Sequence, residues 1–177
     1  MRRAQNPHVR ASGVPVFLRL ALRLHRAWGM ALFRSVLVAT DLGEHSRRAL
    51  DLGVELAETL GAKLTVVHVF EIPVYAYGAV ATATVDLFTP IEAAAKDGLG
   101  KVMDEVRRKV PNAAAVLRQG TAWREVLAVA ESERSDLVIT GTHGRKGLQH
   151  FVLVSVAEKI VRLSPVPVMT VRGGAAG

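Results

Sequence analysis

The chain has 177 residues, 50% apolar and 22% charged, which fits one globular domain with a sizeable core and excludes an intrinsically disordered chain. It contains no cysteine, which excludes a disulfide framework, a thiolate metal site, a cysteine nucleophile and thiol redox chemistry, and permits the cytoplasmic location expected here. The net charge of +7 suggests nucleic acid as a partner until it is located: Arg2, Arg3, Arg10, Arg19, Arg23 and Arg26 supply all but one unit of it, ahead of any Asp or Glu, so the rest of the chain is nearly neutral and no nucleic-acid partner is expected.

The first predicted element is a basic amphipathic helix over residues 14–28. Arg19, Arg23 and Arg26 fall at i, i+4 and i+7 on one face, with Phe17, Leu18, Leu20, Leu22 and Leu24 covering much of the remainder. The stretch is shorter than the roughly 20 apolar residues that span a bilayer, and arginines interrupt it. No small-residue cleavage site marks it as a secretory signal. Three readings stay open: a loose tail or a start placed ahead of Met30, an interfacial helix touching anionic membrane, and a partner-binding arm. Residues 1–33 are accordingly set apart as an extension, 34–172 as the domain and 173–177 as a C-terminal tail.

From residue 34 onward short apolar runs alternate with helical stretches, a β-α-β series. Residues 35–39, 64–69 and 136–140 are continuous apolar runs rich in β-branched residues, suited to parallel strands covered on both faces. Weaker strands are expected at 113–117 and 166–171. Leu50, Val54, Ala57 and Leu60 recur at helical spacing, and Gly61 stands where a left-handed C-cap closes that helix. Thr89, Pro90 and Glu92 specify a second helix start, with Thr89 as cap. A third helix is expected over 121–134 and a last one over 156–163, ended by Pro165 and Pro167. Right-handed crossovers make this a five-stranded parallel doubly wound sheet in a three-layer α/β/α sandwich, with ligands expected outside the carboxyl ends of the strands. Two such ends stand out, at Asp41 and at Gly141. The 70–88 connection, with Tyr75, Tyr77 and Gly78, is long enough to be a functional cover.

The segment Gly141-Thr142-His143-Gly144-Arg145-Lys146-Gly147 follows a strand and precedes a helix. Its glycines permit a tight turn with exposed backbone N–H groups, the helix offers the positive end of its dipole to an anion, and Arg145 and Lys146 add charge. A plain strand-to-helix turn is the competing reading.

With VLVATD at 36–41, VVHVFE at 66–71, DLVITGTHGRKGL at 136–148 and SVAEKIVRLSPVPVMTV at 155–171, the chain resembles the universal stress protein family over nearly all of residues 34–172. The resemblance implies a flavodoxin-like sheet of order 3-2-1-4-5 and a homodimer through the terminal strand. It also implies a site for ATP, with or without Mg²⁺, in a loop of the form G-x2-G-x9-G-[S/T]. Gly141 and Gly144 match the first two positions and Ser155 the hydroxyl, while Val154 replaces the third glycine with a stiff β-branched side chain. The implied site comprises Ala39, Asp41, Val69, Thr140, Gly141, His143, Gly144, Arg145, Val154, Ser155 and Val156. Asp41 can face ribose hydroxyls or cap the next turn, Val69 can be plain core, and Ser155 can cap the last helix in a capping box with Glu158.

His143 and His150 have no acidic or thiolate partner at ligand spacing, so no metal site is expected. Asp41, His45 and Ser46 are too close in sequence to suggest a catalytic triad, and no acid–base pair stands out, so no enzyme is expected beyond slow, incidental ATP hydrolysis. Three functions remain: a dimeric stress protein that binds an adenine nucleotide, a nucleotide-free interaction protein of the same fold, motivated by Val154, and a nucleotide-dependent hydrolase or transferase.

Overall fold

The computed structural model of the chain describes residues 33–72, 88–142 and 156–172. Five strands and four helices alternate among them: β1 (Ser35–Thr40), α1 (Glu44–Leu60), β2 (Lys63–Phe70), α2 (Phe88–Arg107), β3 (Ala114–Gln119), α3 (Ala122–Ser132), β4 (Leu137–Gly141), α4 (Val156–Leu163) and β5 (Val168–Val171). All pairings are parallel and the order is β3-β2-β1-β4-β5, as the resemblance implies. No helix among the described residues is long and apolar enough to cross a membrane.

The apolar runs become strands because both of their faces find cover. On one face Val36, Val38, Leu64, Val66, Leu137 and Ile139 pack with Leu50, Val54 and Ala57 of α1 and Leu99, Met103 and Val106 of α2. On the other, Leu37, Val67 and Val138 pack with Val126, Val129 and Ala130 of α3 and Ile160 of α4. The edge strands β3 and β5 are only half-buried. The predicted C-cap holds: Gly61 has φ 64°, and the amide of Ala62 donates to the Ala57 carbonyl, closing α1.

Element ends differ from the predicted ones for local reasons. Helix α2 begins at Phe88, so Thr89 lies within its first turn and is not its cap, while Pro90 keeps a place where no intrahelical N–H is required. Strand β3 runs past Leu117 to Gln119 because Arg118 and Gln119 continue the ladder against Val69 and Phe70, whatever their polarity. Strand β5 begins at Val168 because the Ser164 hydroxyl accepts the Val166 amide in a tight turn and Pro167 has no N–H.

One close approach fixes α1 against the sheet. A Cβ at Gly53 would lie 2.2 Å from Cγ2 of Val38, a fully buried β-branched residue in the central strand. Glycine in mid-helix costs about 1 kcal/mol relative to alanine, so here close packing outweighs propensity. Gly53→Ala is expected to lower stability in urea unfolding by about 1–2 kcal/mol, the cost of overpacking exceeding the gain in helix propensity. An unchanged or raised midpoint would show that the helix can move away.

Candidate functional site

Parallel strands deliver all their carboxyl ends to one edge of the sheet. Ala39 of β1 lies opposite Val67 on β2 and Thr140 on β4, so the turns after β1 and β4 leave from neighbouring strands. One leads to α1 on the first face and the other to α4 on the second. Such divergence is what creates a ligand crevice in an open α/β sheet.

Several predicted residues meet there. Ala39 and Val69 are partly buried and pack against the cluster beneath α3 and α4. Thr140 is buried and alternates with Val138, which puts it on that same face. Gly141 ends β4 opposite Val171, and the Thr142 amide donates to the Val171 carbonyl at 3.0 Å. Val156 opens α4 and is exposed. His143, Gly144, Arg145, Val154 and Ser155, like His150, lie outside the described residues.

Asp41 follows β1 directly. Its Oδ1 accepts the Gly43 amide at 2.9 Å and the Ser46 hydroxyl at 2.5 Å. Both predicted alternatives are thus in play, since the carboxylate closes the turn with one oxygen only. The other, Oδ2, is buried with no hydrogen-bond partner among the described residues. A buried acceptor left unpaired costs about 1–3 kcal/mol, more when charged. At the end of a central strand this leaves an acceptor without a donor among the described residues.

The turn around Asp41 is over-determined. Leu42 has φ 61°, a conformation that bulky residues rarely adopt. Its amide donates to Thr40 Oγ1 at 3.0 Å, and its side chain lies where a Cβ on Gly98 of α2 would come within 2.8 Å of it. His68 Nδ1 lies 2.9 Å from the Thr40 carbonyl and, since a carbonyl only accepts, donates to it from β2. Beside the turn, Thr40, Leu42, Gly43, Ser46, Arg47 and Val102 line a cleft of about 80 Å³. It lies on the α1–α2 side and is too small for a nucleotide, whose pockets measure about 300 Å³ or more.

Sequence patterns miss Thr40, Ser46 and Gly98. For Ser46 the only signal is a hydroxyl five residues beyond an aspartate, across a turn-to-helix boundary, which is too common to single out, and Thr40 and Gly98 carry none. Ser46 sends its one proton to Asp41, an arrangement unlike that of a nucleophile activated by imidazole. Nearby, Glu71 Oε1 accepts the Ala122 amide at 3.2 Å, tying the end of β2 to the start of α3. The Trp123 ring of α3 has Arg124 and Lys159 5.1 and 5.5 Å from its centre, the second reaching across from the first turn of α4.

With this geometry in hand, likeness to known proteins is informative. The family model for the universal stress protein family matches residues 32–172. A universal stress protein of Thermus aquaticus is 33% identical over 148 residues, covering 80% of this chain and all of that protein. The structure of universal stress protein UspA from Lactobacillus plantarum superposes with a TM-score of 0.66 at 22% identity, covering 78% of this chain and 97% of the other. A universal stress protein solved in complex with cAMP gives 0.61 at 17%, covering 80% and 99%. One from Archaeoglobus fulgidus in complex with dAMP gives 0.55 at 19%, with the same coverage.

The helix that carries Ser46 is braced by Arg47, which is hydrogen-bonded to Glu105 of α2 and lies 3.4 Å from Asp51. That bond holds the Glu105 carboxyl below its ordinary value of 4.5. Because the folded value is depressed, the contribution is complete above about 4.5 and is lost as pH falls through the folded value. The melting-temperature difference between wild type and Glu105→Gln is therefore expected to be small, because both partners are exposed, and to shrink as the pH is lowered from neutral through the folded value below 4.5. A difference that persists or grows in acid would contradict the assignment.

Proposed function

The chain belongs to the universal stress protein family, and from that premise we propose that it is a stress-response protein that binds ATP or a related adenine nucleotide between the Asp41 and Gly141 turns. The observation that carries this reading is the buried, unpartnered Oδ2 of Asp41, which follows β1 at the carboxyl edge of the sheet where the partly buried, apolar Ala39 and Val69 also lie. An acceptor next to an apolar shelf suits the hydroxyl of a ribose and the flat base attached to it. Relatives of the same fold bound to cAMP and dAMP support the adenine preference. In this reading Gly141, Gly144, Arg145 and Ser155, with the start of α4 at Val156, hold the phosphates and any Mg²⁺ that accompanies them. The nucleotide, when bound, supplies a charged group whose differential affinity shifts the protein between conformations. In this reading the role is binding and not turnover, in a cytoplasmic protein whose domain spans residues 34–172.

Titration calorimetry and thermal shift with Mg²⁺-ATP test the reading. Binding and a raised melting temperature are expected, with Asp41→Ala weakening affinity about tenfold, the worth of one hydrogen bond to a charged group. No heat and no thermal shift at millimolar nucleotide would overturn it.

The same reading includes a homodimer through β5. That strand lies at the edge of the sheet, with exposed Val161 and Leu163 on the preceding helix. The carbonyls of Pro167 and Val171 accept from Val138 of β4 and from Thr142 just beyond it, so by alternation residues 168 and 170 turn their amides outward. Sedimentation is expected to show a dimer that Thr170→Pro converts to monomer, since it removes an outward N–H without taking a bond from β4. A monomeric wild type at tens of micromolar would refute the dimer.

A further inference from the structure

We infer that Ser46 is a positioning residue, acting with Thr40 to fix the orientation of the Asp41 carboxylate, and so where its free oxygen recognises a sugar hydroxyl. The inference rests on the nucleotide reading above for its ligand, but its geometry stands on the free protein.

The protons can be counted along the chain of contacts. Thr40 Oγ1 accepts the Leu42 amide at 3.0 Å, which leaves its own proton for Ser46 Oγ, also at 3.0 Å. Ser46 then has one proton to give. The Gly43 carbonyl at 3.0 Å and Asp41 Oδ1 at 2.5 Å compete for it, and the shorter, charge-assisted bond to the carboxylate wins. The result is a directed relay from the Leu42 amide through Thr40 and Ser46 to Asp41. Both hydroxyl residues are buried, at 8% and 4% exposure, so water does not replace either donor freely.

The relay matters because an aspartate's terminal torsion is broad and nearly two-fold. Held by the Gly43 amide alone, the carboxylate can swing about that torsion, and the free acceptor has no fixed place. Two donors on Oδ1, from Gly43 and from Ser46, remove that freedom and leave Oδ2 as the defined acceptor. Ser46 touches no ligand in this scheme; it acts through Asp41. Its place in the first turn of α1 brings it there, since the helix is capped by Gly43 without a side-chain bond and its one other contact with the Ser46 hydroxyl is the weaker one to the Gly43 carbonyl.

Two measurements on the full chain test the inference, using Ser46→Ala and the near-isosteric Thr40→Val. In the free protein, amide hydrogen exchange at Gly43, which donates to Asp41 Oδ1, is expected to quicken about tenfold in Ser46→Ala and to rise in Thr40→Val, while the amides of Val38 and Ile139 keep their rates. With Mg²⁺-ATP, Ser46→Ala is expected to weaken binding about tenfold in wild type, and to have no further effect once Asp41→Ala is present. Unchanged exchange at Gly43 in both variants would overturn the inference whether or not nucleotide binds. So would losses in affinity that multiply in the double variant, because a residue acting through Asp41 cannot matter when Asp41 is gone. Quickened exchange at Gly43 in a protein that binds no nucleotide would support the positioning role and count against the nucleotide reading alone.

Discussion

Strand β1 is hydrogen-bonded on both sides, to β2 through the pairs from Ser35–Lys63 to Thr40–His68 and to β4 through those from Val36–Leu137 to Ala39–Thr140. A slip of one residue in either ladder would carry Val36 and Val38 to the wrong face and move Ala39 and Asp41 away from Thr140 and Gly141. The candidate site is therefore a consequence of register. Burial on both faces favours that register, since Val36, Leu37 and Val38 are fully enclosed in it.

The first helix carries the constraint from the core to the turn. Gly53 lets α1 lie directly on Val38, and three turns of buried Ala49, Leu50, Val54 and Ala57 hold it there. That seating brings Ser46 to Asp41. On the other side of the turn, Leu42 keeps an unfavourable left-handed backbone because its side chain is fitted against Gly98 and its amide is satisfied by Thr40. Strain of this kind, about 1–3 kcal/mol, persists only where the surroundings over-determine it. A carboxylate placed by two helices and two strands is a rigid recognition element, in contrast to one carried on an isolated loop.

Much of the fold was legible in the sequence. The β-branched runs at the centre of the sheet, the spacing of Leu50, Val54, Ala57 and Leu60, and Gly61 at the helix end all express local physics that tertiary packing reinforces. Where packing or pairing decided the outcome, the sequence was a weaker guide. Arg118 and Gln119 join β3 for the sake of the ladder, and Thr89 enters α2 despite its capping chemistry. Ala39, Asp41, Val69, Thr140 and Gly141 lie at the same carboxyl edge of the sheet, because strand ends are readable once strands are. The partners of Asp41 were not readable. Ser46, Thr40 and Gly98 gain their roles only when α1 and α2 are set against the turn, and a serine or a glycine in a helix gives no sign of that beforehand. Val154, where the family motif expects glycine, falls among the residues not described, so its bearing on phosphate rests on sequence alone.

The central claim is that the end of β1 offers one buried carboxylate oxygen to a nucleotide sugar. A crystal structure of the protein grown with an adenine nucleotide tests it most directly. The predicted result is a base against Ala39 and Val69, a ribose hydroxyl within hydrogen-bond distance of Asp41 Oδ2, and Ser46 still bonded to Oδ1. A nucleotide seated elsewhere on the sheet, or a ribose that leaves Asp41 untouched, would contradict it.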